Sequence, residues 1–316
     1  MRYAKRMLVP LAFLVSLALP QLISPQPVAA ADDPLRVVAT LGDLGAIAQE
    51  VGGSHVTVET LANPHEDPHF VDAKPSYLKS LARADLVVLN GMSLETGWLP
   101  TLIDNSRNGA IQNGESGYFD ASNHIERKGI PQGEVTRAMG DVHPEGNPHY
   151  TIAPRQMARV ALALGERLGE LDPAHADTFK RRARSVAKES LKVAKKWESK
   201  FEALGESSRR VVVYHEAWVY LLEWLGLEAV AAIEPKPGVD PNPRHVASVV
   251  ETMEAQRVRA IIQMEYYPSS VVDSIAQKTD STPVRISGQA RSGQGYIERI
   301  DALASSIYDA LNGEDK

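Results

Sequence analysis

Leu35-Arg36-Val37-Val38-Ala39-Thr40, a helix-patterned stretch from Asp43 to Val51, and Val56-Thr57-Val58-Glu59-Thr60-Leu61 together decide the fold. Two short β-rich runs separated by a helical segment imply a crossover connection, because parallel strands cannot be joined by a tight turn. The habit continues through a helix from Pro75 to Arg83 to the run Leu86-Val87-Val88-Leu89. Strands alternating with helices predict a parallel sheet. The second half repeats the pattern with Val211 to Tyr214, Ala229 to Ile233, Val258 to Met264 and Val284 to Ile286, each followed by a helix-compatible stretch. A second α/β lobe with its own parallel sheet is the expectation.

The centre of the chain reads differently. Pro154 to Leu171 predicts one helix, and Asp172-Pro173 opens another that runs to about Leu204, with Asp172 as N-cap and Pro173 at the first helical position. Roughly thirty residues without glycine or proline, at ~1.5 Å each, make a rod approaching ~50 Å, longer than one lobe requires. It reads as a stiff strut between lobes, with two helices of a bundle as the alternative. Between Asp120 and Asn147 the chain is polar and irregular, carrying Gly129, Pro131, Gly133, Gly140, Pro144 and Gly146. A loop of that length in a compact domain is usually functional or mobile.

At the N-terminus Arg2, Lys5 and Arg6 precede an apolar run from Met7 to Ile23 that closes on Val28-Ala29-Ala30-Ala31. This is the pattern of a secretory signal peptide cleaved after Ala30 or Ala31. Pro10 and Pro20 interrupt the run, which falls short of the roughly 20 unbroken residues of a spanning helix; a retained anchor is the alternative. The expected organisation is a signal peptide over 1–31, an N-terminal α/β lobe over 32–172, a linking helix over 173–204 and a C-terminal α/β lobe over 205–316.

Cysteine is absent, which removes disulfides, thiolate metal sites, cysteine nucleophiles and a lipid attached through cysteine. Any metal must be held by nitrogen and oxygen. A soluble, exported protein of a Gram-negative periplasm fits these features. The formal net charge of −6 is mild, and no basic block interleaved with aromatics suggests a nucleic-acid surface.

Three segments place histidine beside strand ends or in loops: Pro64-His65-Glu66-Asp67-Pro68-His69, Gly146-Asn147-Pro148-His149-Tyr150 and Tyr214-His215-Glu216. The carboxyl ends of parallel strands are where such sheets bind ligands. Ile261-Ile262-Gln263-Met264-Glu265 delivers a carboxylate at the end of another strand. A set of three imidazoles completed by a carboxylate or water matches the tetrahedral preference of Zn²⁺. Pro68 and Pro148 stiffen the backbone before His69 and His149. With nine histidines in the chain, some fall near loops by chance. His55, His124, His175 and His245 are read as ordinary surface or hydrogen-bonded residues, while His65 and His143 stay ambiguous.

Asp67-Pro68-His69-Phe70, Lys74-Pro75-Ser76, Arg83-Ala84-Asp85-Leu86-Val87-Val88, Asn90-Gly91, Leu94-Glu95 and Trp98-Leu99 resemble the first metal-ligand segment of the cluster A-I metal-binding proteins of ABC importers. Asn147-Pro148-His149-Tyr150 is similar to the family's second motif, and His215-Glu216-Ala217-Trp218 with Tyr220-Leu221 and Gly226-Leu227 to its third. The resemblance implies two lobes of parallel sheet joined by one long helix, a metal in the cleft, and His69, His149 and His215 as ligands. Manganese-binding relatives often carry a carboxylate where His215 stands, so histidine here tilts the expected cargo toward zinc, with manganese as the alternative.

Two departures from the family stand out. Many relatives supply an aspartate after the last strand, but Ile286 to Gly293 contains no carboxylate. Glu265 is the expected substitute as fourth ligand, with Glu66, Asp67, His143 or water as competitors, and with a hydrogen-bonding role for Glu265 as the plain alternative. Nor is there a histidine-rich brush, since Asp120 to Asn147 contains only His124 and His143. That loop is read either as a meeting point for a periplasmic metallochaperone or as a cover over the cleft. The expected partner is an ABC permease, and the protein itself is expected to be a monomer. Trp218, Tyr220, Leu221 and Trp224 recur at helical spacing and are read as core, as are Tyr266 and Tyr267. A zinc hydrolase is the rival from another class, but no His-Glu-x-x-His helix or Gly-x-Ser-x-Gly elbow occurs. A non-transporting adhesin or sensor on the same fold is a third possibility.

Overall fold

The computed structural model describes residues 33–133, 135, 136, 139 and 142–313. The predicted signal peptide and Gly140 of the polar loop lie outside these residues. The first sheet is built from β1 (Leu35–Ala39), β2 (Val56–Thr60), β3 (Leu86–Leu89) and β4 (Tyr118–Asp120) in the order β2-β1-β3-β4, all parallel. The crossovers carry α1 (Gly42–Gly52), α2 (Pro75–Leu81) and α3 (Leu99–Ser106). The second sheet, β5 (Arg210–Val213), β6 (Glu228–Ala232), β7 (Ala260–Met264) and β8 (Thr282–Ile286), takes the same order, β6-β5-β7-β8, and is also parallel. Its helices are α6 (Val219–Leu225), α7 (Pro243–Gln256), α8 (Ser269–Thr279) and α9 (Tyr296–Asn312). The two-sheet expectation holds. Among the described strands and α-helices, β4 and α3 had no counterpart in the sequence reading; β4, three residues long, is too short to show a period.

All four residues of β3 and all five of β7 are buried, as a strand covered on both faces requires. The period of two then assigns each side chain to a layer. Val211, Val213, Ala260 and Ile262 join a core shared with the first sheet, while Val212 and Ile261 pack with Val249, Met253, Val272 and Ile275 of α7 and α8.

Between the sheets run α4 (Pro154–Leu171) and α5 (Ala176–Glu202). The long joining helix is present, and at ~1.5 Å per residue it spans about 40 Å. It is not a free strut, because α4 packs along it and α1, α6 and α9 also touch it. Its start differs from the N-cap reading: Pro173–His175 forms a 3₁₀ turn first. The Asp172 carboxylate accepts from the His175 ring nitrogen at 2.6 Å and caps no backbone N–H.

A buried polar junction ties α1 of the first lobe to α9 and the β8–α9 loop of the second. Arg299 Nε lies 3.3 Å from Asp43 Oδ1, with both side chains almost wholly enclosed. Asp43 also accepts from the Ala290 amide at 2.9 Å, Gln289 Oε1 accepts from the Gly42 amide at 2.6 Å, and Arg299 donates to the Ser287 carbonyl at 2.9 Å. Burial pushes the Asp43 carboxyl up, and the Arg299 charge with the Thr151 and Ala290 hydrogen bonds draws it partly back. Gly42 permits the approach, since a Cβ there would collide with the Ala290 carbonyl.

Removing one member leaves the other charge buried and unpaired, so Arg299→Met is expected to lower stability by about 3 kcal/mol or more. The Asp43→Asn/Arg299→Met double variant should lose less than the single. Urea unfolding at constant m-value measures both, and an unchanged midpoint for Arg299→Met would show that the lobes do not depend on this pair.

Candidate metal centre

Four imidazoles assemble where the carboxyl ends of the two sheets face each other. His69 arrives on the loop after β2, His215 lies two residues after β5, and His143 and His149 come from the chain between β4 and α4. Ring centres are 5.2 Å apart for His69 and His143, 5.3 Å for His69 and His149, and 6.0 Å for His149 and His215. Two imidazoles on one tetrahedral Zn²⁺, with Zn–N near 2.0 Å, have centres roughly 5 Å apart. The spacing therefore suits shared ligation. The orientation does not yet, because the rings run as a chain from His143 through His69 and His149 to His215. Among the described residues no group of three donors converges tightly enough to enclose an ion. Turning the rings, or a small approach of His215 from the second lobe, is what closure requires.

Carboxylates fix two of these rings. His69 Nδ1 lies 2.6 Å from Asp67 Oδ1 and His215 Nδ1 lies 2.7 Å from Glu234 Oε2. A carboxylate only accepts, so each Nδ1 carries a proton, and each Nε2 presents a lone pair when its ring is neutral. This is the outer arrangement that orients metal-binding histidines. His69 Nε2 is 3.1 Å from His143 Nε2, close to the roughly 3.3 Å expected between two donors on one tetrahedral zinc. Burial pushes Asp67 up, but the hydrogen bonds and charge of His69 outweigh it and hold the carboxyl below its usual range. Burial, reinforced by repulsion from His69, His215 and His143, holds His149 well below the ordinary imidazole value, so it stays neutral and able to ligate.

The loop bearing His149 is pinned from both sides. Asn147 Oδ1 accepts from the His149 amide at 3.0 Å and Asn147 Nδ2 donates to the Glu216 carbonyl at 3.0 Å, reaching the second lobe. Asn90 Nδ2 donates to the Pro148 carbonyl at 3.0 Å, and the Tyr150 hydroxyl donates to the Asn90 carbonyl at 2.6 Å. Asn90 is held by Glu95, whose carboxylate accepts from the Asn90 and Gly91 amides and the Thr40 hydroxyl. A cavity of about 420 Å³ opens beside His143 and His149, lined also by Asn147, Glu216 and Trp218.

Glu265 lies elsewhere on the rim. Its carboxylate contacts Arg291 at 3.4 Å and the exposed His65 at 3.6 Å, and among the described residues no hydrogen bond or ion pair joins it to the imidazole cluster. His55 stacks on His175, His124 on Phe119, and His245 Nε2 meets the Ala232 carbonyl, as their ordinary readings anticipated. Tyr267 stacks on Tyr214 and lies 5.9 Å from the His215 ring, so it packs and also flanks the site.

Residues 37–310 match the family described as zinc-uptake complex component A periplasmic, ZnuA. The chain belongs to that family. It is thus of the metal-binding, solute-binding kind that serves ABC importers, a family of carriers rather than enzymes. The manganese-binding lipoprotein MntA of Bacillus subtilis (strain 168) is 26% identical over 268 residues, covering 83% of this chain and 82% of that protein. Among solved structures, a crystal structure of ZnuA superposes with a TM-score of 0.74 at 20% identity, over 88% of this chain and all of the other. A mutant structure of the laminin-binding adhesin of Streptococcus agalactiae gives 0.72 at 23% identity, over 88% and 99%. Both solved structures share this fold, while the matched family is named for zinc and the Bacillus relative for manganese.

Glu234 is the residue of this site that sequence reasoning missed. Its one signal is position: a carboxylate two residues after β6, at the same sheet edge as His215. Asp67, a candidate ligand from the sequence, instead orients the His69 ring.

Burial raises Glu95 from its ordinary 4.5 to about 7, outweighing the Thr40, Asn90 and Gly91 donors. A raised folded-state value means the native state holds the proton more tightly. The associated stability is full below pH ~4.5 and is lost as pH rises through ~7, a span on the order of 3 kcal/mol. Glu95→Gln should remove that slope, so the stability difference between the two proteins drifts across this window; a difference constant with pH would refute the shift.

Proposed function

We propose that this protein captures Zn²⁺ as cargo in the periplasm and delivers it to the permease of an ABC-type importer. His69, His149 and His215 are the ligands, with His143 in the fourth place that the sequence had suggested for Glu265. The observation that carries this reading is the run of neighbouring imidazoles with two Nδ1 atoms fixed by carboxylates. Family membership supports it. An ion entering the cleft exchanges its water for Nε2 lone pairs on loops from both lobes, so ligation draws the lobes into one arrangement. That bound arrangement is what the permease recognises, and a periplasmic metallochaperone is a fitting donor at the His143 loop. The protein acts as a monomer.

Nitrogen-only ligation favours zinc over the harder manganese ion, which prefers oxygen donors. Manganese is the second reading, since a relative is named manganese-binding. A hydrolytic zinc keeps a position open for water; a site closed by four imidazoles keeps none.

Protein purified without chelator should carry zinc by mass spectrometry and retain it against excess Mn²⁺. His69→Ala, His149→Ala and His215→Ala should each abolish or greatly weaken binding, and His143→Ala should weaken it more than Glu265→Ala. The reverse order for the last two would restore Glu265 as fourth ligand, and retention by all the histidine variants would refute the site. Glu234→Gln, which keeps size but loosens the His215 ring, should cost about 10–100-fold in affinity. Because protons compete for the same lone pairs, affinity should also fall as pH drops below the ~6.5 of ordinary imidazole; titrations that are flat between pH ~5 and ~8 would rule out imidazole ligation.

A further inference from the structure

Helix α5 carries nine lysines and arginines against four acids in a chain whose net charge is −6. Part of this charge is used locally. Arg182 donates to the Glu50 and Val51 carbonyls, Lys196 pairs with Asp301, Lys192 with Glu189, and Glu198 with Arg155 of α4. Lys180, Arg184, Lys188 and Lys195 are exposed and make no ion pair among the described residues. At 100° per residue these four fall within an arc of about 80°, and they extend along about 22 Å of helix. Leu191 lies in the same arc and is 44% exposed. Leu162 of α4, the helix packed along α5, is 42% exposed. Asp177 and Glu202 stand at the two ends of this face and leave its middle cationic.

We infer that this outward face of α5 docks on a bilayer surface containing anionic phospholipid, with the helix lying parallel to the membrane. A straight row of cations matches a plane of headgroup phosphates, and lysine stems reach around an apolar residue that enters the interface. An acidic protein partner fits less well, because it would meet an exposed leucine amid the charges without a pocket to receive it. The attraction is additive over the row and screened by salt. Docking holds the carrier in the layer of solvent where a membrane permease is found, whichever metal the cleft contains.

Flotation of the purified protein with vesicles of phosphatidylcholine containing about 30 mol % phosphatidylglycerol tests this, read against phosphatidylcholine alone. Binding is expected only to the anionic vesicles at ~0.05 M salt and should disappear at ~0.5 M. A variant with Lys180, Arg184, Lys188 and Lys195 all changed to Gln should reduce the bound fraction about tenfold while its circular dichroism and metal binding stay unchanged. Leu191→Ser should give a smaller loss. A wild type that ignores anionic vesicles, or a four-glutamine variant that binds them equally, would overturn the assignment. So would unaltered binding by Leu191→Ser together with equal affinity for soluble polyglutamate, which would give the face to an acidic protein.

Discussion

The enclosed contact between Asp43 and Arg299 is the constraint on which the shape of the cleft depends. Each lobe has its own sheet, and nothing in a four-stranded parallel sheet dictates how it sits against another. Asp43 occupies the first turn of α1, where the unpaired amides of a helix favour a negative charge, and it faces an arginine on the last helix of the chain. Neither charge has water to retreat to. Pulling the lobes apart would leave both desolvated and unmatched, so one relative placement is favoured over its neighbours. Gly42 completes the joint, because its missing Cβ lets it come up against the Ala290 carbonyl while its amide donates to the Gln289 side-chain oxygen.

A joint on one side of the cleft leaves the other side to the ligands. The imidazoles sit on loops, but each loop is anchored to something rigid: His69 through Asp67 and through the Pro68 carbonyl, which accepts from Trp98; His149 through the Asn90–Glu95 network; His215 through Glu234. The His69 and His215 rings therefore have little freedom to lose on binding. The spacing of the rings already suits a small tetrahedral ion, and what remains is reorientation across the lobe boundary. Such a site can hold a metal firmly and still release it when the boundary is disturbed, as a carrier requires.

The charged, exposed face of α5 follows a different logic. α5 buries one face against α4, α1 and α9, and the opposite face is free to vary without cost to folding. Its accumulation of lysine in an otherwise acidic chain is therefore not explained by the stability of the helix. An external anionic surface accounts for both the sign and the linear arrangement of the charge.

Sequence alone determined the alternating strand and helix plan, the existence of two sheets, the long central helix and the three motif histidines. These follow from local periodicity and from short motifs whose residues are neighbours in the chain. It did not determine that α4 lies along α5, that Asp172 turns to His175, or that Glu265 is engaged by Arg291. Nor did it reveal Glu234 behind His215 or bring His143 within 3.1 Å of His69. Each of these joins residues far apart in the chain or sets one hydrogen bond against another. Only the packed structure, where burial makes an unmatched polar group costly, decides between such partners.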